Sequence, residues 1–396
     1  FMNILIMGWV NVAMISLLQG FFGMSHLNAF LLTGGALMLV VVYVNLSGLR
    51  GVVYTDVLQF ILAMAGSITL AVVVLRSPDV GGISGLKATF PEETFSFFPT
   101  IGESSSGGGT YQIGLASFLA FFGMVWWTSW YPGAEPGGGG YSAQRMLSTK
   151  DERSSFLASL VFQIGHYAVR PWPWILAALA ALALYGGHGD VVADAPSELG
   201  TWIEAGEIGH KLNESQQEAY NAWADEWEPI YGDRLHEAYL YQKDKRFGYI
   251  FLMRDYLPSG VLGMLLASFL AAYMSTMSTQ LNWGASYLIN DLYLRFMRPN
   301  APRKASLKAS RLSIVLLAVL GWLITLRMDS IAGVWQFIME CGAGLGLVLI
   351  LRWYWWRINA WAEITATVAP FLAYAIAHLF LDWAFPNSFF FTVAFT

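Results

Sequence analysis

One stretch of the chain, residues 258–293, is long enough to cross a membrane but carries polar side chains at its centre. It has no charged residue before Asp291, and about 20 apolar residues span a hydrocarbon core as a helix. Its central polar residues are Ser275, Thr276, Ser278, Thr279, Gln280 and Asn282. Polar groups at that depth are costly unless they meet a partner. These side chains therefore either join neighbouring helices or bind a polar ligand.

The composition places this stretch in a polytopic membrane protein. Of the 396 residues, 56% are hydrophobic and only 12% are charged, about half the charged fraction of a soluble domain. The single cysteine, Cys341, excludes an internal disulfide framework. An enzyme is not expected, because the sequence shows no metal-ligand cluster and no nucleophile elbow. The glycines at 137–140 lack the preceding strand and the spacing of a dinucleotide fingerprint.

Residues 112–145 combine a membrane-length apolar run with strong helix breakers. Two prolines and five glycines directly follow WWTSWY, and such residues are tolerated at membrane depth where the freed backbone groups line a cavity. Interrupted helices of this kind mark binding sites in secondary transporters. Glu135 lies inside the interruption and is a candidate functional residue. The alternative is a glycine loop in water.

Several segments resemble the sodium/solute symporter family, which includes sodium–sugar and sodium–proline carriers. ASFLAAYMSTMSTQLNWGASYLINDLY resembles its eighth core helix, and SGLRGVVYTDVLQ resembles the junction between core helices four and five. AQRMLSTKDER resembles the exit from core helix six, and GAGLGLVLILRWYWWRINAWAEI resembles the tenth-to-eleventh helix region of a bacterial branch. The resemblance extends over essentially the whole chain.

This resemblance implies an all-α polytopic membrane protein with the leucine-transporter-type fold of two inverted repeats of five helices. The sequence would cover core helix 3 to helix 11, and we expect it to be a fragment of a longer chain. The implied segments are core helices 3–5 (1–76), an external loop (77–111), core helices 6–7 with a broken helix 6 (112–185), an acidic external cap (186–250), core helices 8–10 (251–351), and helix 11 with the start of a further helix (352–396).

Neutral oxygens on the central stretch suit a loosely bound sodium ion. Ser275 and Thr276, with the backbone oxygen of Ala272 one turn earlier, can direct several oxygens to one point, and hard cations prefer oxygen ligands. The resemblance implies that these three residues form half of a sodium site and that core helix one supplies the other half. It also places Asp56 on the sodium exit path, although a helix-start acid favoured by the helix dipole explains Asp56 equally well.

Two charged residues in apolar segments are candidates for contact with a substrate. Arg170 falls near the middle of a span, 156–185, where a lone guanidinium is costly. It would pair with Glu135 or bind an anionic group of the substrate, unless it reaches to a membrane interface. Glu340 has Gln336 one turn earlier on the same face, and it either lines the substrate cavity or is a hydrogen-bonded structural acid.

The full set of candidate cavity residues includes the aromatic side chains before the interruption, which either stack on a ring or simply pack. The set comprises Trp127, Trp130, Tyr131, Glu135, Arg170, Asn282, Gln336 and Glu340. Sugar-carrying members of the family tend to have an aromatic residue near the position of Glu135, so the glutamate disfavours a sugar as substrate.

Charge placement predicts the orientation in the membrane. The segments 141–155, 294–311 and 352–357 carry 3, 6 and 2 Lys/Arg and are expected in the cytoplasm by the positive-inside rule. The segments 77–111 and 186–250 are then external, and the second contains 13 acids against 5 Lys/Arg. Within it, Ser215 and Glu218 predict a capping box at the start of a helix.

Together these features predict sodium-coupled symport of a small polar organic solute across the bacterial inner (cytoplasmic) membrane by alternating access. The expected partners are the solute, the coupling sodium ion and the lipid bilayer, and no nucleic acid; association with other membrane subunits stays open. The alternative is a non-transporting structural or sensory membrane subunit of a larger complex with a symporter-like fold.

Overall fold

The computed structural model describes residues 2–46, 49–102, 112–125, 146–186, 189–205, 208, 212–328 and 331–396. Most of these residues are helical. The helices are α1 (Met2–Phe22), α2 (His26–Leu46), α3 (Leu49–Arg76), α4 (Gly82–Thr89), α5 (Leu115–Phe118), α6 (Glu152–Ile164), α7 (Pro171–Tyr185), α8 (Leu199–Ala205), α9 (Glu214–Tyr231), α10 (Leu235–Lys243), α11 (Arg246–Tyr256), α12 (Ser259–Tyr287), α13 (Arg303–Leu323), α14 (Ile331–Leu351), α15 (Ala360–Leu379) and α16 (Asn387–Phe395).

Tighter and wider helical turns extend some of these helices. Tight 3₁₀ turns occur at Glu92–Phe95, Gly232–Arg234 and Ile324–Arg327, and wider π turns follow α5, α6 and α12 at Leu119–Val125, Gly165–Val169 and Leu288–Met297. Two short strands, β1 (Thr100–Gly102) and β2 (Gln112–Gly114), pair in parallel with Thr100 opposite Gln112.

Eight helical segments within the described residues are long and apolar enough to cross a membrane. They are Met2–Phe22, His26–Asn45, Val57–Arg76, Glu152–Tyr185, Ser259–Met297, Arg303–Arg327, Gly333–Leu351 and Ala360–Leu379. They lie within the segments 1–76, 112–185, 251–351 and 352–396, which were expected to contain the core helices and helix 11, and each has about the 20 apolar residues that are needed to cross the hydrocarbon core as a helix. The prediction of an all-α polytopic membrane protein is confirmed.

The described chain divides into two compact units, and the first comprises Asn3–Phe90 and Ile164–Arg327. In this unit α12 packs against α2, α3 and α13. Met7 of α1, Leu37 of α2, Met277 of α12 and Leu317 of α13 belong to one buried apolar cluster. The membrane-length stretch with a polar centre, residues 258–293, therefore contains the helix around which this unit packs.

The acidic segment of the first unit forms four short helices, α8–α11, whose aromatic sides are buried. Trp223 and Tyr231 of α9 and Tyr239 of α10 belong to a cluster that also contains Ala177 of α7 and Val74 of α3. The predicted amphipathic helix is present, but the predicted Ser215/Glu218 capping box is wrong.

The helix α9 begins two residues earlier than that box requires, at Glu214, and Asn213 is its N-cap. The Asn213 side chain accepts from the Gln216 backbone N–H at 2.9 Å, and the Gln216 side chain accepts from the Asn213 N–H at 3.1 Å. Asparagine caps helices as well as serine does. Ser215 instead donates to the Asn213 side chain at 2.8 Å.

A polar cluster joins these short helices to the turn after α3. Arg234 and the Tyr256 hydroxyl both donate to Asp79 Oδ2 at 2.6 Å. These two hydrogen bonds lower the pKa of Asp79 below its usual value, because they stabilise the ionised carboxylate.

The second unit comprises Pro91–Gln163 and Met328–Thr396. In it α14 packs along α15, and α16 packs against both. Phe389 of α16 is fully buried in a small cluster with Ala120.

The structure differs from two of the predicted segments in detail. The predicted external loop, 77–111, includes α4 and β1, and the boundary at residue 250 falls inside α11. The apolar periodicity of membrane-crossing helices does not reveal such short elements.

Candidate functional site

The helix α12 presents two different faces, defined by the 3.6-residue helical period. The buried face consists of Tyr273, Met277, Gln280, Leu281 and Gly284, all of which are buried. The open face consists of Ala272, Ser275, Thr276 and Asn282, and the buried Thr279 lies on the same side of the helix. On the open face Ala272 and Asn282 are exposed, and Ser275 and Thr276 are half-buried.

The three predicted sodium ligands lie together on the open face. Ser275 and Thr276 lie one turn after Ala272, in a continuous α-helix. Ser278, which looked equivalent in sequence, donates its hydroxyl to the Ser275 carbonyl at 2.9 Å. That hydroxyl therefore bonds to the helix backbone, and Ser278 was not among the predicted ligands.

An amide pair joins the buried face to α1. Asn3 Nδ2 donates to Gln280 Oε1 at 2.7 Å and lies 3.3 Å from the Gln280 backbone oxygen. Gln280 is therefore one of the polar residues that connect helices. The central polar run of α12 thus joins neighbouring helices on its buried face, which is the first of the two alternatives that its sequence left open.

A second polar connection, the Asn11 network, was not predicted from the sequence. Asn11 is fully buried, and its Nδ2 donates to the Gly321 carbonyl at 3.0 Å and to Thr325 Oγ1 at 3.2 Å. The Tyr273 hydroxyl donates to Asn11 Oδ1 at 2.9 Å. The network joins α1, α12 and the end of α13. An amide inside an apolar span was the available signal, because such a group needs partners.

Arg170 lies in the first unit among residues of its own helical segment. Its Nη1 lies 3.2 Å from His166 Nδ1, and since a guanidinium only donates, that imidazole nitrogen accepts. The guanidinium also lies over the Trp174 ring, 4.5 Å from the centroid, where a cation–π contact stabilises it. Trp174 in turn donates to Ser67 Oγ of α3 at 3.0 Å.

Four predicted cavity residues, Trp127, Trp130, Tyr131 and Glu135, lie outside the described residues. The predicted Glu135–Arg170 pair is therefore untested. Asp56 lies in α3, and its side chain also lies outside the described part of the structure.

The remaining two predicted residues, Gln336 and Glu340, are in contact in α14 of the second unit. Gln336 Nε2 donates to Glu340 Oε1 at 2.9 Å, as expected for two residues one turn apart. Glu340 is fully buried, and its second oxygen lies 3.5 Å from His378 Nε2 on α15. His378 was missed, because its sequence position near the end of an apolar helix carries no signal of a partner.

The described residues contain no group of three or more His, Cys, Asp or Glu placed to bind a metal ion. The candidate ion site of α12 is of a different kind, since its proposed ligands are hydroxyl and carbonyl oxygens, which hard cations prefer.

A family model described as the sodium:solute symporter family matches residues 4–195 and 241–367. The chain belongs to this family. The match includes α12 with its open face and excludes 196–240, which contain most of the short acidic helices. The family assignment made from the sequence segments is confirmed.

Individual relatives extend the family match. The chain is 31% identical over 131 residues to the osmoregulated proline transporter OpuE of Bacillus subtilis, covering 32% of this chain and 26% of that protein. It is 23% identical over 371 residues to the sodium/glucose cotransporter of Vibrio parahaemolyticus, covering 91% of this chain and 60% of that protein. It thus spans less than two thirds of either relative. Both are transporters, in agreement with the prediction that this family member is not an enzyme.

A solved structure of a Na⁺-coupled sialic acid symporter has the same fold. It superposes with a TM-score of 0.60 over 99% of this chain and 70% of that chain, at 17% sequence identity. The predicted symporter fold is therefore confirmed by this structural likeness.

Proposed function

We propose that the intact gene product couples sodium entry to the uptake of a small polar organic solute by alternating access. The observation that carries this proposal is the open face of α12, where Ala272, Ser275 and Thr276 lie together in a member of the sodium:solute symporter family. The alternative, a non-transporting membrane subunit, has no requirement for neutral oxygens grouped in this way.

Sodium would be bound by the Ala272 carbonyl and the hydroxyls of Ser275 and Thr276, with further ligands from another helix. Neutral oxygens suit a coupling ion, because a transporter must release the ion after each cycle. One charge crossing 100 mV supplies about 2.3 kcal/mol before the concentration gradient is added. Asp56 is proposed to lie on the exit path of the ion.

The solute is proposed to be polar and organic, and Arg170 is its best-supported contact in the first unit. Arg170 has five N–H donors, and its hydrogen bond to a described residue, His166, engages one nitrogen, which within the described part of the chain leaves donors for an anionic group. The relatives named above transport proline and glucose, and another is a sodium/pantothenate symporter of Escherichia coli. These names support the class of small polar solutes.

The remaining candidates differ in their support. Asn282 is exposed on the open face and remains a proposed cavity residue, together with Trp127, Trp130, Tyr131 and Glu135. Gln336 and Glu340 bond to each other, which supports the structural alternative for this pair.

The protein is proposed to reside in a bacterial cytoplasmic membrane. The segments 141–155, 294–311 and 352–357 would face the cytoplasm, where their Lys and Arg residues obey the positive-inside rule. The segments 77–111 and 186–250 would then be external. Modification of an introduced cysteine at position 308 or 218 by a membrane-impermeant reagent, in intact cells, would test this orientation in a Cys341→Ala background.

The first test of the function is the Tm of the intact gene product in sodium, compared with potassium and choline. A ligand that binds only the folded state raises Tm. We expect a sodium-specific increase that Ser275→Ala/Thr276→Ala removes and that Ser278→Ala retains, because the Ser278 hydroxyl is bonded to the backbone. A folded wild type without a sodium response would contradict sodium coupling and favour the non-transporting alternative.

A further inference from the structure

The connection between α14 and α15 exposes a group of aromatic side chains. The sequence of residues 352–361 is RWYWWRINAW, and we call these residues the aromatic turn. Trp353, Tyr354, Trp356 and Trp361 retain 71%, 85%, 85% and 75% of their surface exposed. Exposed aromatic side chains grouped in this way indicate an interaction surface, because a protein rarely leaves a contiguous apolar patch without a partner.

The backbone of the aromatic turn is hydrogen-bonded to the helices on both sides. The Trp353 N–H donates to the Ile350 carbonyl at the end of α14 at 3.1 Å. At the other side, the Asn359 side chain caps α15 by accepting from the Trp361 backbone N–H at 3.0 Å. The turn is therefore a defined structure that directs its rings outward, and not a loose loop.

The position of the aromatic turn in the fold defines the surroundings of its rings. It connects two consecutive membrane-crossing segments, Gly333–Leu351 and Ala360–Leu379. A short connection of this kind lies where the hydrocarbon core meets water. Trp and Tyr are favoured in that layer, because each combines an apolar ring with a polar N–H or O–H group. The rings of the turn therefore match the interface of the lipid bilayer.

Two exposed arginines give this surface a positive charge. Arg352 lies 6.0 Å from the centroid of the Trp353 ring, and Arg357 lies 5.3 Å from that of the Trp356 ring. Both arginine side chains are exposed. The nearest following acid is Glu363, in the first turn of α15, so the arginines outnumber the acids here. A guanidinium donates two parallel hydrogen bonds to a phosphate group.

Charge complementarity selects a lipid over a second copy of the chain as the partner. In a symmetric contact between two copies the same patch meets itself, which would bring Arg352 and Arg357 against the same residues of the other copy. Like charges placed together across an interface are unfavourable. An anionic phospholipid offers the opposite charge at the depth of the guanidinium groups and an apolar region beside the rings.

We propose that the aromatic turn binds the headgroup region of anionic phospholipids. The arginines bind the lipid phosphate, and the exposed rings lie between the headgroups and the acyl chains. The site is formed by α14, α15 and their connection alone. It is therefore independent of the proposed sodium ligands on α12, and either proposal can fail without the other.

The test is photo-crosslinking of the intact gene product in lipid nanodiscs that contain one protein each. Tyr354 is replaced by benzoylphenylalanine, which its exposed position tolerates, and the discs contain phosphatidylcholine with a minority of phosphatidylglycerol. Mass spectrometry then identifies the adducts. We expect lipid adducts in which phosphatidylglycerol exceeds its share of the bulk lipid by about fivefold for each arginine. Adducts that follow the bulk composition, or that form with peptide, would overturn the proposal.

Matched variants separate the arginines from the rings. Arg352→Gln/Arg357→Gln should abolish the enrichment of phosphatidylglycerol but retain lipid adducts, because the rings stay in the interface. Arg295→Gln is the control, since Arg295 also lies over an exposed ring, that of Phe296 at 5.5 Å, but outside the turn. It should leave the enrichment at position 354 unchanged, and an equal loss would refute a site at the turn.

Two further measurements keep the proposal testable. The same crosslinker at position 356, where Trp356 is equally exposed, replaces the first probe if the Tyr354 variant does not fold. It should give the same enrichment, and lipid adducts without enrichment would again refute the site. In liposomes, where copies can meet, we expect lipid adducts from either probe. A crosslinked dimer there would show that a second copy covers the turn and would overturn the proposal.

Discussion

The two faces of α12 use polar residues in opposite ways. The buried face directs Gln280 and Tyr273 to named partners on α1, Asn3 and Asn11, at 2.7 and 2.9 Å. The open face presents small side chains at Ala272, Ser275 and Thr276, with Ala272 exposed. Polar groups of α12 thus join helices on the buried face, and the open face is the one proposed to bind the ion.

This contrast teaches that residue type alone does not separate the two roles. Gln280 and Asn282 are both amides, yet Gln280 is buried against α1 and Asn282 is exposed. The helical face decides between them, because side chains two residues apart point in very different directions. The following predictions compare matched residues on the two faces.

The largest effect is expected from Asn11→Ala, which removes the centre of the Asn11 network. The Tyr273 hydroxyl and Thr325 would lose a buried partner, and unsatisfied buried groups cost about 2 kcal/mol of unfolding free energy. Asn282→Ala on the open face should change the free energy of unfolding by less than about 0.5 kcal/mol. Unfolding by SDS titration in mixed micelles measures both, and equal effects would show that the two faces do not differ.

A smaller effect is expected from Gly284→Ala on the buried face. A Cβ there would lie 2.8 Å from Leu317 Cδ1, and such overpacking costs about 1 kcal/mol when the neighbour must shift. Gly263 is the control on the same helix, where a Cβ would meet no described atom within 4 Å. Gly263→Ala should be neutral or stabilising by up to about 1 kcal/mol, since alanine favours helix. A destabilisation of the same size at both positions would contradict the packing argument.

The amide pair Asn3–Gln280 should contribute a modest coupling energy. Hydrogen bonds between membrane helices average about 0.6 kcal/mol in double-mutant cycles. The cycle of Asn3→Ala, Gln280→Ala and the double variant, followed by the same SDS titration, measures this coupling. Additive effects would show that the contact does not stabilise the buried face.

The smallest effect on intrinsic stability is expected from Thr276→Ala on the open face. In choline, its unfolding free energy should stay within about 0.5 kcal/mol of wild type, because the Thr276 side chain is only half-buried and the change is small. In sodium, the same variant should lose much of the rise in Tm. A loss of stability of equal size in both salts would mean that Thr276 serves packing and not the ion.

The sequence alone determined the class of fold. Apolar segments of about 20 residues predicted the membrane-crossing helices, because a helix must satisfy its own backbone hydrogen bonds within lipid. The segment around Ser275 and Thr276 was specific enough to predict the family. The spacing of Gln336 and Glu340 predicted that they lie on one helical face, since the local helical period fixes it.

Only the tertiary structure decided which polar residues meet across helices. Asn11 and Tyr273 are 262 residues apart, and Glu340 and His378 are 38 residues apart, so no local pattern links them. The first residue of α9 also depends on the tertiary structure, because both Asn213 and Ser215 are residue types that can cap a helix. Sequence periodicity indicates which helical face a residue occupies, but its hydrogen-bond partner on a neighbouring helix depends on how the helices pack.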